Sequence, residues 1–215
     1  FFDLVITPPG PYPALFGLPR QPVSDADYAI GLYASTLVRD GGTLQIGIGA
    51  LADALCHALV LRHTDNSRYR QLLDALGPGL QQHRLGAAIG GLEPFEQGLY
   101  GCSEMLNEGF RVLVEHGIIA RRVHDDPVLM RRVESEHAWT ADRATLAAEG
   151  HYLHGAFYLG SGDFYAWLRG LGTDQARAID MRPISRINQL DGPDEALKRL
   201  QRRDARFFNS CMMAT

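Results

Sequence analysis

Asp40-Gly41-Gly42-Thr43-Leu44-Gln45-Ile46-Gly47-Ile48-Gly49, running on into Ala50-Leu51-Ala52-Asp53-Ala54-Leu55, is the stretch on which the fold turns. Residues 43–46 predict a short strand, the glycines a tight turn, and the apolar run 50–61 a helix, together a strand, turn, helix unit. The same grammar recurs at Gly98-Leu99-Tyr100-Gly101-Cys102, followed by the turn Ser103-Glu104-Met105 and an amphipathic helix over 107–116 that Gly117 ends. Less regular cycles follow, with helices expected at 141–149, 164–171 and 193–202 and strands at 152–158, 178–187 and 206–212. Alternation at this spacing predicts an α/β fold, an open and mostly parallel sheet with helices on both faces.

Upstream, Ser24 is an N-cap candidate, and Ala26, Ile30, Leu32, Tyr33 and Leu37 recur at helical spacing until Asp40 and its glycines. Residues 1–22 hold six of the eleven prolines, a density that forbids helix and describes a linker or arm. Residues 62–97 are polar and glycine-punctuated, with a helix expected over 69–76 and a flexible stretch over 77–91; the segment reads as an insertion loop.

A chain of 215 residues that is 46% hydrophobic can bury a proper core, so global disorder is excluded. Its apolar runs fall far short of the roughly 20 residues that cross a bilayer. Net charge is −4 and Lys198 is the only lysine, a poor basis for coating nucleic acid, so the arginine pairs read as solvated helix faces. Cys56, Cys102 and Cys211 are odd in number and not closely paired, which fits a reducing, cytoplasmic protein. The chain opens on Phe1-Phe2 with no signal-peptide pattern and stops just after an apolar strand, so it is expected to be part of something longer.

Gly47-Ile48-Gly49-Ala50-Leu51 between a strand and a helix lets backbone N–H groups and the helix N-terminus face an anion, since no side chain blocks the approach. Taken alone, such glycines serve structure as readily as a ligand. A dinucleotide reading also needs an acid at the tip of a second strand; Asp65 has the spacing but follows a helix, which leaves an NAD-linked oxidoreductase as a minor alternative. Glu104 sits at the other strand-to-helix turn, where a helix dipole holds a carboxylate ionised and therefore nucleophilic; its bland reading is an ordinary helix-start acid. His151 and His154, three apart in an expected strand, are placed on opposite faces, so no shared metal is expected. Cys56 is expected to be buried in its helix, and Gly160-Ser161-Gly162 lacks the frame of a nucleophile elbow.

Two motifs resemble the acetyl-CoA hydrolase/transferase family of class I CoA-transferases. The stretch quoted first looks like that family's D-G-x-T-L-Q-x-G-I-G, and Ser103-Glu104-Met105-Leu106-Asn107-Glu108-Gly109 with Leu113-Val114-Glu115-His116-Gly117-Ile118-Ile119 looks like its S/T-E-M-x-x-D-G and L-V-E-x-G-x-I. Supporting stretches are Gly155-Ala156-Phe157-Tyr158-Leu159-Gly160 and Phe208-Asn209-Ser210, and the likeness runs from about Tyr28 onward. It implies that Glu104 is a covalent nucleophile that passes through a glutamyl-CoA thioester, and that Gly47, Ile48, Gly49, Ala50 and Leu51 contact CoA. The implied partners are acyl-CoA, a small carboxylate and the remainder of a longer chain, with a homo-oligomer allowed and neither nucleic acid, membrane nor metal involved. Three departures stand out: residues 62–97 lengthen the gap between the two motifs, Glu108 replaces an Asp, and the family's G-x-G-G-Q-x-[DN]-F loop does not occur before Thr215. Residues 23–215 are thus expected to be a partial C-terminal lobe with little or no turnover alone. A domain that binds CoA or a nucleotide without covalent chemistry is the alternative.

Overall fold

The structure, a computed structural model, describes residues 3–7, 9–11, 17, 19, 21–77, 79, 83–135, 139–182, 195–203 and 206–209. It is an open α/β fold. The first described helix, α1 (Asp25–Ser35), starts on a capping box in which the Ser24 hydroxyl and the Asp27 carboxylate bond each other's backbone N–H groups. β1 (Thr43–Gln45) follows, then α2 (Ala50–Thr64), α3 (Asn66–Leu76) and α4 (Arg84–Ile89). β2 (Tyr100–Cys102), β3 (Met105–Leu106) and α5 (Glu108–Glu115) form the second unit. The rest comprises α6 (Pro127–Glu134), α7 (Thr140–Glu149), β4 (Leu153–Gly155), β5 (Phe157–Tyr158), α8 (Gly162–Gly170), α9 (Thr173–Arg177), β6 (Ile179–Met181), α10 (Glu195–Arg202) and β7 (Phe207–Asn209).

Five strands form one sheet in the order β6-β4-β2-β1-β7, every neighbouring pair parallel. The chain steps outward from β1 to β6 and then returns to β1's other side, so the order reverses at β1, the place where open parallel sheets leave a crevice at their carboxyl edge. β3 and β5 pair in a small second sheet. Met105 therefore belongs to a strand rather than a turn, and the expected strand 152–158 breaks into two pieces serving different sheets.

Strand alternation divides the core. Leu44, Ile46 and Leu153 join Leu55, Leu59, Phe110, Leu113 and Phe164 in the main cluster, beneath α2, α5 and α8. Tyr100 and Cys102 face the other way, onto Val123, Met130 and Leu197. Asp40 locks the approach to both central strands: its carboxylate accepts the N–H groups of Glu96, Gln97 and Gly98 at 3.2, 3.0 and 3.0 Å, tying the turn before β1 to the turn before β2. Among the described residues no helix is long and apolar enough to cross a membrane.

The expected strand 178–187 is present as β6, its later part lying outside the described residues, as do Pro193, the stretch 210–212 and Cys211. Helices α4, α6 and α9 are additional to the expected elements, α4 lying inside the stretch expected to be flexible. Residues 62–97 pack on the body of the fold through Tyr69 and Leu73, both fully buried against Leu32 and Ala58. Arg62 pins this segment from within. Its Nη1 donates to the carbonyls of Ser35 and Val38 at 3.1 and 2.6 Å, its Nε to that of Glu93 at 2.7 Å, and its guanidinium lies 4.4 Å over the Phe95 ring. Burial pulls its pKa down to about 10, still charged at neutral pH. Replacing it with alanine takes the guanidinium from the Val38 and Glu93 carbonyls and from the Phe95 ring, so Arg62→Ala should lose about 2 to 4 kcal/mol in urea unfolding, with the segment 93–95 losing amide protection first.

Candidate functional site

The carboxyl end of β1 runs through Ile46 into Gly47-Ile48-Gly49, and Gly49, at φ +107°, is the N-cap of α2 with no side chain to cap the helix. Beside it, β2 runs through Ser103 and Glu104 into β3 and α5. Two contacts hold these connections together: the Asn107 amide donates to the Gly47 carbonyl at 2.8 Å, and the Ser103 hydroxyl reaches the Ile46 carbonyl at 3.4 Å. Asn107, nearly buried, also accepts the Gly109 N–H and so caps α5. The Ser161 hydroxyl caps α8 nearby.

These three helix starts surround a cavity of about 340 Å³, lined by Ile46 to Gly49, Ala52, Asp53, Cys56, Asn107 to Gly109, Leu159 to Ser161, and Pro19 and Gln21 of the arm. That volume suits a small ligand or one arm of a larger one. Of the five residues expected to touch CoA, Gly47, Ile48 and Gly49 line the cavity; Ala50 and Leu51 open α2 outside its wall. Gly49 is required by its backbone. Gly47 is not: its φ is unexceptional, and a Cβ built there meets no atom within 4 Å. Among the described residues nothing in backbone or packing requires that glycine.

Glu104 is exposed and does not line the cavity. Its carbonyl accepts the N–H groups of Ala156 and Phe157 at 2.7 and 3.2 Å, so its backbone is fixed while no described residue hydrogen-bonds its carboxylate. The helix-start acid is Glu108 instead. Its Oε2 accepts the Ser161 hydroxyl at 2.7 Å, its Oε1 accepts Arg111 Nη1 at 3.0 Å, and it lines the cavity. The helix-dipole argument made for Glu104 therefore transfers to Glu108, because β3 intervenes between Glu104 and α5. A period shift from strand to helix two residues later was the only signal that could have found it.

Cys56 is buried as expected, and burial, helped by Asp53, pushes its thiol up to about 12; it presents a neutral wall. Asp65 caps α3, accepting the Arg68 N–H at 3.0 Å, and no strand ends there, which removes the acid that the NAD reading needed. The two histidines depart from expectation. His151 lies before β4, in a bridge to Val123, and its ring meets that of His154 edge to face with centroids 5.3 Å apart. No group of three potential metal ligands occurs among the described residues.

On the sheet face away from α5, a polar row runs across the strands. Tyr100 Oη lies 2.8 Å from His154 Nδ1, His154 Nε2 lies 3.1 Å from Asp180 Oδ2, and that oxygen accepts Arg182 Nε at 2.6 Å. Burial alone would raise the Asp180 carboxyl; bonding and attraction to His154, then Arg182, outweigh it and hold the pKa at about 2.

Comparison with descriptions of known protein families gives no match, and comparison with curated proteins finds no similar sequence.

Two outcomes follow from this geometry. Gly49→Ala should lower stability by about 1 to 2 kcal/mol because alanine is strained at that φ, whereas Gly47→Ala should leave the melting temperature unchanged. Asp180, lower in the folded than in the unfolded chain, contributes stability that is complete above about pH 4 and is lost as pH falls toward 2. Acid titration of unfolding should show this loss in the wild type and not in Asp180→Asn.

Proposed function

We propose that the chain handles acyl-CoA thioesters, as a CoA-transferase or acyl-CoA hydrolase in which Glu104 is the nucleophile. The single observation that carries this reading is Gly47, a glycine that neither backbone nor packing demands, on the wall of a cavity where three helix starts meet. The motif resemblance supplies the chemistry, and the parallel α/β fold agrees with it. Asn107 ties the glycine turn to the loop that carries Glu104, three residues away.

The steps are those of covalent catalysis. The Glu104 carboxylate attacks the acyl carbonyl, the C–S bond breaks, and CoA thiolate leaves a mixed anhydride. The thiolate attacks the glutamyl carbonyl and releases the acyl group as a carboxylate. The resulting glutamyl thioester is then opened by an incoming carboxylate, which takes up CoA by way of a second anhydride, or by water. Backbone N–H groups at the helix starts favour negative charge as each oxyanion develops. Ile46, Ile48, Ala52, Cys56 and Leu159 give an apolar wall suited to a pantetheine arm or short acyl chain.

A binding-only reading has one observation in its favour, that Glu104 lies outside the cavity wall. Incubation with acetyl-CoA, borohydride trapping and peptide mass analysis separates the two. Modification at Glu104, absent in Glu104→Gln, is the expected result; bound CoA with no modified glutamate means binding alone. Gly47→Ala should weaken CoA binding about tenfold or more by calorimetry while folding normally.

A further inference from the structure

We propose that His154, held between Tyr100 and Asp180, is a positioning residue that fixes the loop presenting Glu104; this rests on the acyl-transfer reading. The His154 carbonyl accepts the Ser103 N–H at 3.0 Å, and Ala156 and Phe157, just beyond it on the same segment, donate to the Glu104 carbonyl. The loop that holds Glu104 thus hangs from the stretch 154–157, and whatever fixes the end of β4 fixes Glu104.

The His154 side chain does that fixing. It is 1% exposed, Tyr100 is fully buried, and the pair joins β4 to β2 at the level of Cys102, which registers opposite His154. Asp180, its register partner on β6, places Oδ2 3.1 Å from the other ring nitrogen. Both ring nitrogens of His154 therefore face a polar neighbour on an adjoining strand. The row continues through Arg182 to Asp125, whose other oxygen accepts Gln201 of α10 at 3.2 Å. Three strands and a helix are therefore clamped behind the Glu104 loop.

The charged and titratable groups around the imidazole are Tyr100 from β2, Asp180 and Arg182 from β6 and its exit, and His151 from the lead into β4. Arg121 lies 5.4 Å over the Tyr100 ring, and α10 buries Lys198 in the same layer. A hydroxyl removed from this row leaves the apolar ring in place and takes away the contact at Nδ1.

The test uses Tyr100→Phe, with Asp180→Asn as a second variant, each checked for native circular dichroism. Hydrogen exchange is read at the Ser103, Ala156 and Phe157 amides, and the rate of Glu104 modification by acetyl-CoA is read from pH 5 to 9. The expected result is amide exchange faster by about tenfold at those three positions. Modification of Glu104 should slow by a similar factor, with a pH profile that differs from the wild type's. Exchange and modification that match wild type in both variants overturn the positioning role alone. A folded wild type that is never modified at Glu104 overturns the acyl-transfer reading and this role with it.

Discussion

One side-chain amide sets the geometry of this molecule's carboxyl edge. Asn107 caps α5 with its oxygen and grips the glycine turn after β1 with its nitrogen, so two strand-to-helix connections that are far apart in sequence cannot separate. It is only 4% exposed, so losing either bond takes a partner from a nearly buried polar group. The cavity exists because these two connections are held side by side with the start of α8 and its Ser161 cap.

The two faces of the sheet divide the work. Beneath α2 and α5 the contacts are almost wholly apolar, and the cavity inherits that character from Ile46, Ala52 and Cys56. The opposite face carries Thr43, Tyr100, His154 and Asp180, which make directional contacts with one another and with Arg121 and Arg182. Arg121 also reaches the Gln201 carbonyl, and Thr43 donates to that of Arg202, so α10 and β7 are fastened to β1 by directional bonds as well as by packing. Removing either partner of such a bond strands a buried group, which makes this face the more specific of the two.

Glu104 and Glu108 show how a short strand reverses an electrostatic argument. Both belong to one motif, yet β3 moves the start of the helix past Glu104, and the carboxylate favoured by the helix start is Glu108, bound by Ser161 and Arg111. Glu104 keeps a fixed backbone and an exposed carboxylate that no described residue hydrogen-bonds, the condition in which an acid side chain is available to react.

The α/β class, the two central strands and the helices α2 and α5 were legible in the sequence, because strand and helix periods and glycine turns are local properties of the chain. So were the Ser24 cap, the burial of Cys56 and the glycine turn as a candidate site. Sequence could not place His151 beside His154, since a two-residue period holds only inside one strand and β4 begins after His151. Nor could it find β3, whose two residues are stabilised by pairing with β5 some fifty positions away. Which of Glu104 and Glu108 lines the cavity, the reversal of strand order at β1, and the open space beside Gly47 were settled only when distant segments met. Those are facts about neighbours in space, and no local pattern encodes them.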